Sequence, residues 1–285
     1  MMQEKQIQWF PGHMAKTRRL ISESLKNVDI TIEILDARIP ESSRNPEIIR
    51  LTAGKPSLIL LNKCSLADPA ETKAWIKKYT SDSSVCIATD CVTGEGMNKI
   101  APTVRDILSE KVGRYEEKGM SNRLLKAMVL GIPNVGKSSL INKISGAKKA
   151  KVENRPGVTV DKQWVTTSVG LSLLDMPGVL WPKFDNREIG ENLAATGAIK
   201  DAILDIETLA GALCGKLRVL YPDLLKARYK LAEIPEEIGN FDLLEMIGKK
   251  RGFLISGGEV DLERTANMLI DEFRAGKLGR ITLDR

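Results

Sequence analysis

The heptapeptide NKCSLAD, Asn62 to Asp68, follows the apolar run SLILL at 57–61. An Asn-Lys pair with an aspartate two residues on is a base-reading pattern. Here Ser65 occupies the aspartate place, and the motif arrives before any phosphate-binding loop. The loop comes much later, as GIPNVGKSS at 131–139. The order of these two stretches decides how the fold is threaded.

Gly131, Gly136, Lys137 and Ser138 satisfy G-x-x-x-x-G-K-[ST], between the apolar run KAMVL (126–130) and a helix-like SSLINKISG. That context lets backbone N–H groups of 134–139 curl around phosphate oxygens at a helix N-terminus. Lys137 is expected to neutralise β- and γ-phosphates, and Ser138 to ligate Mg²⁺. LLDMPG (173–178) supplies Asp175 at a strand end for the metal and the Gly178 N–H for the γ-phosphate. Between them, RPGVT (155–159) offers Thr159 as a further Mg²⁺ ligand.

The 285 residues carry 43 Lys+Arg against 37 Asp+Glu, a net charge of +6, which leaves nucleic acid or a basic enzyme equally open. Four cysteines without a CxxC pair argue against zinc and against a disulfide framework, so reduced cytoplasmic thiols are expected. No apolar run approaches a membrane span, so no membrane partner is expected.

Strands are expected at 29–37, 57–61, 84–88, 126–130, 163–169 and 171–175, the last two joined near Gly170 like a hairpin. A helix is expected over 14–28. The alternation predicts an α/β domain with a mostly parallel sheet over 1–182. Beyond it, Ile206 to Leu220 and Ala266 to Phe273 form helical stripes, and Pro235 before two glutamates reads as a helix start. Residues 183–285 are expected to form a smaller all-helical domain whose charges could meet RNA phosphate. Its basic runs are KARYK (226–230), GKKRG (248–252) and RAGKLGR (274–280), with Tyr229 and Phe253 beside two of them.

The order is Asn62-Lys63, then DCVTGEG (90–96), the glycine loop, Thr159 and Asp175. Ordinary GTPases place the first two last. A sheet does not record where its chain ends lie, so a circular permutation builds the same fold. With WFPGHMAK (9–16), DARIP (36–40), GIPNVGKSS, DMPGVLWPK (175–183) and RAGKLGRITL (274–283), the chain resembles the circularly permuted P-loop GTPases, specifically the ribosome biogenesis GTPase A (YlqF-type) family.

The resemblance implies that Asn62 holds base and neighbouring loop, that the Lys63 stem lies on a base face, and that Cys64 and Ser65 complete the corner. The Cys91 N–H would meet the guanine carbonyl, where a Ser-Ala loop places its alanine. Asn134, Val135, Gly136 and Ser139 would line the phosphates. Ser65 offers one neutral acceptor where an aspartate offers two charged ones. Losing a charged hydrogen bond costs about 1.5–3 kcal/mol, so weakened guanine selectivity is expected unless Asp68 compensates. Val179 stands where many GTPases carry a water-orienting Gln, so intrinsic hydrolysis should be slow. Asn134 as a K⁺ ligand and His13, the single histidine, as a water-orienting group are the candidates that replace it. The implied partner is the large ribosomal subunit, its rRNA and proteins, with the free chain a monomer. The segment after Asp175 runs through Trp181-Pro182 into the helical domain and is expected to carry the nucleotide signal there. A kinase-like P-loop enzyme and a tRNA-modification GTPase are the alternatives.

Overall fold

The computed structural model describes residues 11–120, 123–146, 163–180, 186–199 and 205–285, without the side chains of 11–15. Trp9, Phe10, Thr159 with its RPGVT segment, Trp181, Pro182 and the His13 side chain lie outside the described residues. The chain divides into two compact units, Met1–Phe184 and Asp185–Arg285.

The first unit holds a six-stranded sheet built from β1 (Ile30–Asp36), β2 (Ser57–Asn62), β3 (Ser84–Ala88), β4 (Leu125–Leu130), β5 (Gln163–Thr166) and β6 (Leu171–Asp175). The order is β3-β2-β1-β4-β6-β5. All neighbours are parallel except β5–β6. That antiparallel pair is the expected hairpin, but β5 stops at Thr166 rather than 169. Thr167 uses both its hydroxyl and its N–H on Leu171 O, and Gly170 turns the chain with φ +83°.

Parallel central strands are buried on both faces, which is why β1 and β2 read as nearly continuous apolar runs. Helices α1 (Pro11–Leu25), α2 (Pro46–Thr52), α3 (Pro69–Tyr79), α4 (Ile100–Ile107), α5 (Ser109–Glu117) and α6 (Lys137–Ser145) complete the unit. The first helix starts at Pro11 and ends at Leu25, three residues earlier at each end than its periodicity suggests. Its Ile21 is fully buried in a cluster with Val28, Ile48, Met128, Leu174 and Val179. Burying a side chain of that size contributes about 1.5–3 kcal/mol.

The register gathers the functional strand ends on one edge. Asp36 pairs with Asn62, Leu61 with Ala88 and Val129 with Asp175. Loops leaving the carboxyl ends of parallel strands therefore converge, the usual place for a ligand in an open α/β sheet.

The second unit contains α7 (Arg187–Ala195), α8 (Ile206–Leu220), α9 (Pro222–Tyr229), α10 (Asn240–Arg251) and α11 (Leu262–Arg274). The helix expected from Pro235 does not form there. Residues 236 and 237 are a turn, and α10 starts at Asn240 behind an extended Gly239. Two glutamates after a proline favour a helix start but do not supply the apolar face that Leu243, Leu244 and Ile247 give α10. One isolated bridge, Leu254 to Val260, is the only strand pairing described in this unit.

Candidate active site

Asn62 ends β2, and its carboxamide is the clamp on which the site is built. Its Nδ2 donates to Val135 O at 2.7 Å, and its Oδ1 accepts from the Cys91 N–H at 3.2 Å. One side chain thus ties the glycine-rich loop to the DCVTGEG loop. Gly136 is what permits this approach. Its φ is +104°, and a Cβ there would lie 2.3 Å from Asn62 Nδ2. Any larger residue would drive Asn62 off the loop.

Lys137 opens α6 immediately after Gly136 and is buried. Its ammonium donates to Gly131 O at 3.1 Å and Ile132 O at 2.8 Å. Burial lowers its pKa to about 8, with Asp175 opposing. Gly178 packs against the same loop: a Cβ on it would lie 2.9 Å from Pro133 N and 3.1 Å from Lys137 Nζ. Val179 N donates to Gly131 O at 3.3 Å. The DMPG segment is therefore laced along the start of the loop. Three segments far apart in sequence surround one helix N-terminus, whose free N–H groups and dipole favour phosphate.

The family model described as "50S ribosome-binding GTPase" matches residues 126–218, beginning after the Asn62-Lys63 corner. "Ribosome biogenesis GTPase A" of Priestia megaterium is 47% identical over 279 residues, covering 98% of this chain and 96% of the relative. "Mitochondrial ribosome-associated GTPase 1" of Mus musculus is 35% identical, covering 97% and 90%. A GDP-bound YlqF structure superposes with a TM-score of 0.62 at 26% identity, covering 94% of this chain and 99% of that one. The chain belongs to the ribosome biogenesis GTPase A family. It is a GTP hydrolase with the circularly permuted P-loop GTPase fold.

Within this GTPase the lysine of the corner is set by a buried ion cluster. Lys63 adopts φ +62° and reaches back to Asp36 Oδ2 and Asn134 O, both at 2.8 Å. Its stem thereby spans from the corner to the glycine-rich loop. Burial lowers the Lys63 pKa, and Asp36 opposes that. Asp36 also receives Arg38 in a two-point pair, Nε to Oδ1 at 3.0 Å and Nη2 to Oδ2 at 2.8 Å. Burial alone would favour the neutral acid, but Arg38 and Lys63 outweigh it and hold Asp36 well below the carboxylate range. The DARIP motif is therefore a support for Lys63, a role its sequence did not disclose.

The remaining expected residues divide. Ser138, Ser139 and Asn134 are half-buried along the loop, and Asn134 takes φ +60°. Val135 is buried and contributes its carbonyl to Asn62. Cys64 departs from expectation: its side chain is buried in a cluster with Leu35, Leu61, Trp75 and Tyr79. Cys64 opens a single 3₁₀ turn over Cys64–Leu66, with its side chain in that core. Cys91 also differs, because its N–H is bonded to Asn62 in this conformation rather than left for a guanine carbonyl. Its thiol, pushed up to about 11 by burial and by Asp90, stays protonated and sits 3.3 Å from Asn62 Oδ1. Asp68 does not take over from Ser65. It caps α3, accepting from Ala70 N and Glu71 N. The carboxylate beside Ser65 is that of Asp90, 2.5 Å from the serine Oγ.

Val179 is buried, and its carbonyl accepts from Asn45 Nδ2 at 3.0 Å. Asn45 caps α2 with its Oδ1 and holds this segment with its amide, a link without any sequence signature.

Asp175 Oδ1 is buried and has no hydrogen-bond partner among the described residues. Burial raises the Asp175 pKa, with Lys137 opposing. A divalent cation would supply the missing partner and hold the acid ionised. No cluster of three or more His, Cys, Asp or Glu side chains is found among the described residues. One carboxylate, the Ser138 hydroxyl and phosphate oxygens are a donor set that suits Mg²⁺, which keeps much of its own water.

Proposed function

We propose that this GTPase acts as an assembly factor in late maturation of the large ribosomal subunit, with hydrolysis to GDP and phosphate stimulated by the particle. The Asn62 clamp carries the nucleotide part of this reading. Names such as "Ribosome biogenesis GTPase A" and "Mitochondrial ribosome-associated GTPase 1" carry the partner part.

In this account Lys63 and Ser65 face the base. The N–H groups of residues 134–139 and Lys137 bind the phosphates, and Gly178 donates to the γ-phosphate. Ser138, Thr159 and Asp175 hold Mg²⁺, which when bound neutralises charge on the β- and γ-oxygens. Asn134 is the K⁺ ligand. Intrinsic turnover is slow, because Val179 has no polar group and lies in the core. His13 orients the attacking water once the particle is engaged. Residues 183–285 bind rRNA, through exposed Lys230, Lys249, Lys250 and Arg280 rather than through Tyr229, which is buried. The protein works in the cytoplasm as a monomer; no described helix is long and apolar enough to cross a membrane.

The test is GTP turnover in K⁺ and Na⁺ buffers, with and without large subunits. Faster turnover with large subunits, greater in K⁺ and lost in His13→Ala without loss of GTP binding, is the expected result. Turnover indifferent to large subunits would refute the assembly reading.

A further inference from the structure

Ser65 and Asp90 belong to different loops, 25 residues apart, yet their side chains meet at 2.5 Å. Position 65 is where the base-reading pattern has its aspartate. Position 90 directly precedes Cys91, so it is where a Ser-Ala loop has its serine. The corner has kept one hydroxyl and one carboxylate but exchanged their sides.

The exchange changes which atom faces the base. Asp90 is buried, and its Oδ1 accepts from Val92 N at 2.7 Å and Thr93 N at 2.9 Å. Burial opposes its ionisation, but the Ser65 hydroxyl and the Thr93 and Val92 amides outweigh that and lower its pKa. An ionised carboxylate only accepts hydrogen bonds. The Ser65 proton is therefore directed at Asp90 Oδ2, while half-buried Ser65 keeps its oxygen lone pairs for another partner. A free serine is ambivalent, since its hydroxyl can rotate to donate or accept. Guanine presents donors at N1–H and the 2-amino group; adenine presents an acceptor at N1.

We propose that Asp90 positions Ser65 as an acceptor-only group, so that guanine selectivity is retained through a hydroxyl backed by a carboxylate. The inference rests on the corner being the guanine site of this GTPase. It also replaces the simple expectation of weakened selectivity, because the serine oxygen is polarised by the charge behind it.

The experiment is calorimetric binding of GDP and ADP to the full chain and four variants. Asp90→Asn is near-isosteric and can keep its Oδ1 on the two amides, but its Nδ2 donates to Ser65 and turns the serine proton toward the base. The GDP-over-ADP preference should fall about tenfold or more. Ser65→Ala should fall similarly, and adding Asp90→Asn to it should cost little more. The exchanged pair, Ser65→Asp with Asp90→Ser, should restore or exceed the wild-type preference, which a merely structural role for Asp90 would not do. Should Asp90→Asn fail to fold, Ser65→Ala and the exchanged pair decide, since Ser65→Ala leaves the amide bonds of Asp90 in place. An unchanged GDP-to-ADP ratio in Asp90→Asn or Ser65→Ala overturns the proposal. A wild-type chain with no preference for GDP over ADP would overturn the guanine reading itself.

Discussion

The nucleotide pocket and the helical unit both carry buried or half-buried cations, but they satisfy them differently. Among the described residues the Lys137 ammonium donates its hydrogen bonds to the carbonyls of Gly131 and Ile132, which are neutral partners. In the helical unit Arg228 and Arg251 converge on Glu272, the latter at 3.1 Å, and Tyr229 donates to the same carboxylate at 2.9 Å. A phosphate can displace a carbonyl from an ammonium, because charged hydrogen bonds are stronger than neutral ones. It has much less to gain by displacing a carboxylate. Equal-looking basic residues are therefore left with neutral partners in one unit and tied into a carboxylate cluster in the other.

That contrast can be broken most sharply at Lys137. Lys137→Ala should weaken GTP binding about a hundredfold or more, since it removes two charge-assisted contacts of about 1.5–3 kcal/mol each. Equilibrium titration with a fluorescent GTP analogue checks it. Glu272→Ala should do the reverse. It should destabilise the chain by about 1.5–3 kcal/mol in urea unfolding, while GDP affinity stays within about twofold.

Protonation sharpens the same point. Burial lowers the Lys137 pKa to about 8, and a phosphate bound beside it would favour the charged form. GDP binding should then take up a proton, and affinity should fall as pH rises from 8, by up to about tenfold per unit. Calorimetry in buffers of different ionisation enthalpy would measure that uptake. A pH-independent affinity between 8 and 9.5 would contradict it. The smallest effect is expected on the exposed face. Lys249→Glu with Lys250→Glu should weaken large-subunit binding and its salt dependence, whereas Arg228→Gln should affect stability more than binding.

The sheet was legible because its strands are apolar runs bounded by turn residues, and the permutation because motif order survives in a linear sequence. The glycine loop was legible for a steric reason: Gly136 must lack a Cβ for Asn62 to pass. The supports were not legible. Asp36 and Arg38 sit in DARIP, which helps mark the resemblance, but nothing local announces that Asp36 holds Lys63. Asp90 was in plain view, but its meeting with Ser65 is a tertiary contact between loops of β2 and β3. Conversely, KARYK suggested a basic surface with an aromatic beside it. The helical period instead turns Tyr229 inward to Glu272, on α11. Charge runs record composition, and only the fold decides which members reach solvent.

The central claim is that β2 and the glycine loop, transposed in sequence, form one nucleotide pocket through Asn62. Calorimetric binding of GDP to Asn62→Ala tests it most directly. Removing the carboxamide frees the loop from the DCVTGEG segment, so the Kd should rise about thirtyfold or more. A GDP Kd equal to that of the wild-type chain would show that the corner and the loop do not share a ligand.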